Sequence, residues 1–206
     1  MTPDQKRSGE RPRPTTRSGE RPRPEPIAPK GHLPRLASEA YRGHAFVHWT
    51  LTLEARATGW LSPAFHHAWR NVLLHACSRY QLICPCYTLM PDHMHLLWAG
   101  TATTSDQRLA IEFIRKHLVT ALAPASWQKQ PHDHVLRESE REQGAFAAIA
   151  HYILENPVRA GLVARWPDYG YNGCCVTGYP EFDPRQDDYW LRFWRVYNYL
   201  VQAAVH

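Results

Sequence analysis

Leu89-Met90-Pro91-Asp92-His93-Met94-His95-Leu96-Leu97-Trp98 joins a turn signal to an apolar run broken only by two histidines. Pro91-Asp92 reads as the turn, and the run behind it as a strand. Side chains alternate faces along a strand, so His93 and His95 share one face while Met94, Leu96 and Trp98 share the other. Two adjacent imidazoles on a rigid strand supply half of a metal site. What that strand does depends on the residues the rest of the chain brings to its histidine face.

Working outward, Leu82 to Met90 reads as a second strand, hairpinned through Pro91-Asp92 into the histidine strand. Upstream, His44 to Leu53 is rich in β-branched and aromatic residues and reads as the first strand. Ser62-Pro63 is an N-cap followed by proline at the first helical position. Phe65, Trp69, Val72, Leu73 and Ala76 recur at helical spacing to about Tyr80. Downstream, Ser105 is expected to cap a helix that turns Leu109, Phe113, Leu118 and Leu122 to the core, with Arg108, Arg115 and Lys116 on its polar side. His132 to Arg137 reads as a short strand. The order strand, helix, strand, strand, helix, strand predicts an α+β fold of the ferredoxin-like βαββαβ type, an antiparallel sheet with two helices on one face.

Ser139 and Glu142 form a capping-box pattern, opening a helix with Phe146, Ile149, Ala150 and Ile153 on its apolar face and ending at Pro157. Tyr152 and Asn156 lie four apart and so share a face of it. Gly161 to Asp183 reads as a loop-rich tail, and Asp187 to Ala203 as a final helix. Its Trp190, Phe193, Trp194, Tyr197 and Leu200 at three-to-four spacing read as core packing rather than a base-stacking platform.

The N-terminus differs in kind. Arg7-Ser8-Gly9-Glu10-Arg11-Pro12-Arg13-Pro14 recurs as Arg17-Ser18-Gly19-Glu20-Arg21-Pro22-Arg23-Pro24. Residues 1–36 hold eight of the seventeen prolines and no aromatic residue. Such a segment buries too little surface to offset its ordering entropy, so 1–40 is expected to be a disordered basic arm. Residues 1–36 carry nine Lys/Arg and four Asp/Glu, which accounts for the net charge of +5, and the remaining 170 residues balance at 15 and 15. Composition therefore excludes a uniformly basic nucleic-acid binder, and any phosphate-binding surface on the folded part must be local. The five cysteines form no CxxC pair. Their odd number and the lack of a secretory leader point to free thiols in a reducing cytosol. No apolar run approaches the roughly 18 residues of a membrane span.

His93 and His95 alone are ambiguous in a chain with thirteen histidines, and His132 and His134 repeat the spacing. Context separates them: the first pair sits in an apolar strand, where an unpaired imidazole is costly, and the second in a polar segment with Lys129 and Asp133. If the Tyr152 helix faces the histidine strand, the Asn156 amide oxygen is a hard third ligand and Tyr152 a nucleophile toward a metal-bound phosphate. On spacing alone, the reading of Tyr152 as a half-buried tyrosine with its hydroxyl in water is the favoured one.

Two segments carry a resemblance. Leu89-Met90-Pro91-Asp92-His93-Met94-His95 resembles the hydrophobic-Met-Pro-Asn/Asp-His-hydrophobic-His motif of the HUH single-tyrosine transposases. Tyr152-Ile153-Leu154-Glu155-Asn156-Pro157-Val158-Arg159-Ala160-Gly161-Leu162-Val163 is similar to their Tyr-Ile-x-x-Asn-Pro-Val-x-x-Gly segment. The branch resembled is that of the REP-associated tyrosine transposases, from about His44 to the C-terminus, with the transposase domain over 41–165 and a tail over 166–206. The resemblance implies Mg²⁺ or Mn²⁺ on His93, His95 and Asn156. It also implies cleavage of single-stranded DNA by Tyr152, leaving a 5′-phosphotyrosine and a free 3′-hydroxyl. Rejoining reverses the step. The implied substrate is hairpin-bearing transposon or repetitive extragenic palindromic DNA, handled in the cytoplasm by a monomer or homodimer. Asp92 stands where many relatives have Asn. Arg115, Lys116, His134, Arg137 and Arg159 are candidate DNA contacts by position.

Three other readings compete: a host-retained protein that binds hairpins without cutting, a hydrolytic metallophosphoesterase using all four of His93, His95, His132 and His134, and a rolling-circle replication initiator. The second requires the two histidine strands to be adjacent. The third shares the chemistry but brings further domains.

Overall fold

A computed structural model describes residues 36–142 and 144–204, without the side chains of 141 and 142. Of the arm expected to be disordered over 1–40, residues 1–35 lie outside the described residues, as does the Glu142 side chain of the Ser139–Glu142 capping box. Ser38–Tyr41 form a 3-10 turn that ends on the buried Tyr41, a correction to the last residues of that span. Five strands form one antiparallel sheet: β1 (Phe46–Thr52), β2 (Leu82–Met90), β3 (His93–Gly100), β4 (His132–Val135) and β5 (Asn172–Cys175), in the order β4-β1-β3-β2-β5. The first four strands have the expected ferredoxin-like arrangement, with β3 at the centre between β1 and β2. The fifth corrects the reading of 161–183 as loop alone. Four residues without apolar alternation carry no strand signal, and β5 exists because β2 offers it an edge to pair with.

Helices cover both faces. On one lie α1 (Pro63–Arg79) and α2 (Gln107–His117), continued by a single turn, α3 (Val119–Leu122). They bury Trp69, Leu73, Ile111 and Ile114 against Trp49, Leu51, Met94, Leu96 and Trp98 of the sheet. The Ser62 Oγ accepts the Phe65 amide at 3.1 Å, so α1 starts where Ser62-Pro63 places it. The cap of α2 is Asp106 rather than Ser105. Its carboxylate accepts the amides of Arg108 and Leu109 at 3.0 and 3.1 Å, and a negative charge suits the positive end of a helix. Ser105, fully buried, instead accepts the Ala102 amide and donates to the Gln81 carbonyl.

The buried stripe of α2 is also shifted, to Gln107, Ala110, Ile111 and Ile114, leaving Leu109 48% exposed and Phe113 half-buried, while Leu118 and Leu122 beyond its end are buried as expected. Both stripes have helical spacing. Gln107 decides between them: its Oε1 accepts the Trp49 indole N–H at 3.1 Å and its Nε2 donates to the Ala45 carbonyl at 2.8 Å, which pins that face to β1.

The other face carries α5 (Ala145–Leu154) and α7 (Tyr189–Ala203), which pack Phe146, Ile153, Phe193 and Tyr197 onto Phe46, Ile83, Leu97 and Ala99. The helix expected from Ser139 to Pro157 is three pieces: α4 (Glu138–Glu142), α5, and a last turn α6 (Asn156–Arg159). Gly144, at φ +80°, divides the first two, a left-handed conformation that glycine adopts at little cost and that ends an α-helix. α7 follows its expected stripe, with Phe193 and Tyr197 buried and Trp190, Trp194 and Leu200 half-buried, and Tyr189 is buried beside them.

Candidate metal and nucleophile site

Alternation along β3 puts His93, His95, Leu97 and Ala99 on the α5/α7 face. Leu97 and Ala99 are sealed under those helices, and the two histidines lie beyond the covered part. In the register of β1 against β3, Thr52 opposes His93, Thr50 opposes His95 and His48 opposes Leu97. Cross-strand partners share a face, so His48, Thr50 and Thr52 join the histidine pair. The result is an open groove of about 460 Å³ lined by Thr50, Thr52, Arg56, His93, His95, Gln128, His132 and Tyr152.

The imidazoles are held at their inner nitrogens. His93 Nδ1 lies 2.6 Å from Asp92 Oδ1, which assigns its proton to Nδ1 and a lone pair to Nε2. His95 Nδ1 lies 3.0 Å from His48 Nε2 and 3.1 Å from Thr50 Oγ1. The two outer Nε2 atoms face each other at 3.0 Å. Adjacent ligands of an octahedral ion with bonds of about 2.1 Å are separated by about 3 Å, so the pair fits one cation. Burial, followed by the charges of His48, His93, Arg159 and Arg56, pushes His95 down to about 2, so its ring stays neutral and able to ligate. Burial and then His134 hold His48 down to about 4.

Asp92 has a second partner, Arg56, whose Nε lies 2.8 Å from Oδ2. One carboxylate thus orients a candidate ligand and an arginine together. Arg56 ends a tight turn after β1 in which Ala55 and Arg56 both have left-handed backbone, φ 51° and 54°. For residues with a Cβ, each costs about 1–2 kcal/mol, and such strain gathers at functional sites.

Tyr152 comes from α5. The Thr88 hydroxyl of β2 ties the end of that helix to the sheet, lying 2.8 Å from the Ile153 carbonyl and 2.7 Å from Asn172 Oδ1 of β5. Tyr152 is 44% exposed, with its ring centroid 5.7 Å from that of His95 and 6.0 Å from that of His48. The Arg159 guanidinium sits 4.1 Å over the ring and donates to the Tyr152 carbonyl, an anchor at the ring face that leaves the hydroxyl open. Asn156 is buried at the first position of α6 and does not line the groove. Its Nδ2 donates to the carbonyls of Tyr152 and Ile153 at 3.0 and 3.4 Å, and among the described residues its Oδ1 accepts no hydrogen bond.

Of the expected residues, His93, His95, Tyr152 and Arg159 come together, with Asn156 adjacent in the chain. Arg115 braces a loop, donating to the Gln128 carbonyl at 2.6 Å and so supporting a groove residue from behind. Lys116 lies on the opposite side of the sheet, with Arg79, Tyr80 and Phe113. His134 pairs with Glu140 at 3.2 Å, and Glu140 also accepts the Arg137 amide at 2.7 Å. A four-histidine metal site is corrected by the strand order, because β1 separates β3 from β4. Only His132 of the second pair lines the groove.

Sequence reasoning missed His48, Thr50 and Arg56. Had β1 been placed beside β3 at the right register, the alternation Phe46, His48, Thr50, Thr52 was the available signal.

The chain shares its fold with a solved REP-associated tyrosine transposase bound to a REP hairpin. The two agree with a TM-score of 0.57 over 68% of this chain and 81% of that one, at 20% sequence identity. No protein-family model matches the sequence, and no curated protein matches it. Among the described residues no helix is long and apolar enough to cross a membrane.

Proposed function

We propose that the protein is a metal-dependent DNA strand transferase in which Tyr152 cleaves single-stranded DNA beside a hairpin and holds the 5′ end as a phosphotyrosine. The observation that carries this reading is the meeting, on one sheet face, of two Nε2 lone pairs 3.0 Å apart and a tyrosine ring 5.7 Å from the nearer histidine ring. The transposase of the same fold is described in complex with a hairpin, which supports the choice of substrate.

His93 and His95 would hold a divalent cation, with Asn156 Oδ1, which accepts no hydrogen bond among the described residues, as the third ligand that the motif implies. The two imidazoles favour Mn²⁺ over Mg²⁺, which prefers oxygen ligands throughout. Bound there, the cation would polarise the scissile phosphate and offset its charge. Asp92 keeps His93 turned with Nε2 outward, and Thr50 and His48 do the same for His95. Arg159 fixes the Tyr152 ring from its face. The Tyr152 oxygen attacks phosphorus and the bond to the 3′ oxygen breaks. The phenolic proton leaves, and the departing 3′ oxygen gains one. Rejoining is the reverse attack by a 3′-hydroxyl, so the phosphodiester energy is retained in the tyrosyl ester and no water is consumed.

The experiment is incubation of full-length protein with a labelled hairpin oligonucleotide carrying a single-stranded flank and Mn²⁺, followed by a denaturing gel. The expected result is a covalent protein–DNA band, lost with EDTA and absent from Tyr152→Phe. Binding without a band points to a hairpin-binding protein. Equal release of free phosphorylated ends by both proteins points to hydrolysis, and either outcome overturns the reading.

A further inference from the structure

We infer that Arg56 forms a phosphate-binding subsite of the groove, taking a backbone phosphodiester of the single strand next to the one presented to Tyr152. The inference rests on the reading of the groove as a strand-binding site and adds a residue that no sequence motif pointed to.

Three observations carry it. Arg56 lines the groove wall together with His93, His95 and Tyr152. Its guanidinium is tethered at one nitrogen only, Nε to Asp92 Oδ2 at 2.8 Å, and its side chain is 59% exposed. Among the described residues its two terminal nitrogens have no other partner, so the planar fork that binds phosphate oxygens in pairs remains open. The backbone that aims it is strained at two successive residues, Ala55 and Arg56. No packing accounts for that strain, because both residues are exposed. A solvated surface arginine needs neither a carboxylate tether nor a left-handed turn.

The tether also identifies what Asp92 adds. An asparagine at 92 can still accept the His93 Nδ1–H through its amide oxygen. Its NH₂ group, facing Arg56 Nε, sets donor against donor and releases the arginine. Asp92 is therefore a positioning residue for Arg56 as well as for His93.

The test uses full-length protein and a fluorescent single-stranded oligonucleotide with a hairpin, read by anisotropy in EDTA across a salt series, so that binding is measured apart from cleavage. Arg56→Gln is expected to weaken binding roughly tenfold. It should also flatten the slope of log K against log salt by about 0.7, the share of one phosphate contact on a single strand. Arg56→Lys keeps that slope and loses part of the affinity, since the charge remains and the fork does not. Asp92→Asn should weaken binding less than Arg56→Gln without changing the slope, because the charge stays but is no longer aimed. Affinity and slope unchanged in Arg56→Gln overturn the inference, as does wild-type protein that binds no single strand. The covalent band is scored separately. Arg56-dependent binding without a band leaves this subsite standing and removes the strand-transfer reading, whereas a wild-type band with Arg56-independent binding does the reverse.

Discussion

Two strands of the sheet carry the same His-x-His spacing, β3 with His93 and His95 and β4 with His132 and His134, and they meet different fates. β3 lies at the centre of the sheet, flanked on both sides, and its residues from Met94 to Gly100 are buried. β4 is an edge strand of four residues, alternately exposed and half-buried. On β3 the imidazoles cannot turn to water, so each inner nitrogen finds a protein partner and the outer nitrogens converge. On β4 His134 pairs with a surface glutamate and its neighbour two residues back faces the groove alone. Spacing puts two histidines on one face. Neighbouring strands decide whether they become a rigid, converging pair or solvated side chains.

The sharpest way to break the contrast is at the residue that only the β3 pair serves. Tyr152→Phe should reduce covalent adduct below detection while Mn²⁺ still raises the melting temperature. An adduct of undiminished intensity would sink the assignment of the nucleophile. Next, His95→Ala should abolish the Mn²⁺-induced rise in thermal melting, whereas His134→Ala should retain it. Equal loss from both would mean that the edge pair also ligates.

The apolar side of β3 gives a test in stability. Trp98 is fully buried against α1 and α2, and Trp98→Ala should cost about 3–5 kcal/mol in a denaturant titration. Val135→Ala, on the half-buried edge of β4, should cost less. A half-buried imidazole elsewhere extends the comparison to pH. His66 Nε2 on α1 lies 2.9 Å from the Tyr87 hydroxyl, and the ring is held down to about 4 by burial and then by Arg70 and Arg185. The unfolded chain protonates this histidine near 6.5 and the folded protein only near 4. Its contribution is therefore intact above pH 6.5 and lost progressively as pH falls toward 4. His66→Gln should flatten the melting-temperature profile across that window, and an unchanged profile would remove His66 as a cause. The smallest effect is expected from His134→Ala on stability, within about 0.5 kcal/mol, as for an exposed ion pair.

Much of the fold was legible because its signals are local. The bounds of β2 and the start of α1 at Ser62-Pro63 follow from residues within a turn of one another, as does the stripe of α7. What misled was also local: Ser105 and Asp106 are both good caps, and Leu109–Phe113 and Ala110–Ile114 are both helical stripes. Only the bonds of Gln107 to β1, more than fifty residues away, choose between the stripes. Of the site, Tyr152 and the β3 histidines could be named from motifs. His48 and Thr50 could not, since they have no motif and meet the histidine pair only through the register of β1 against β3, nor could Arg56, which comes from the turn after β1 and its bond to Asp92.

The sequence by itself determined that His93 and His95 project from one side of a strand and that Tyr152 and Asn156 lie a turn apart on a helix, because strand and helix periods are properties of the backbone. Tertiary structure alone decided the register of β1 against β3, that α5 lies over the histidine face, and that Asp92 reaches both His93 and Arg56. These are pairings between segments distant in the chain, set by which packing buries the most apolar surface with its polar groups satisfied, and no local pattern encodes that choice.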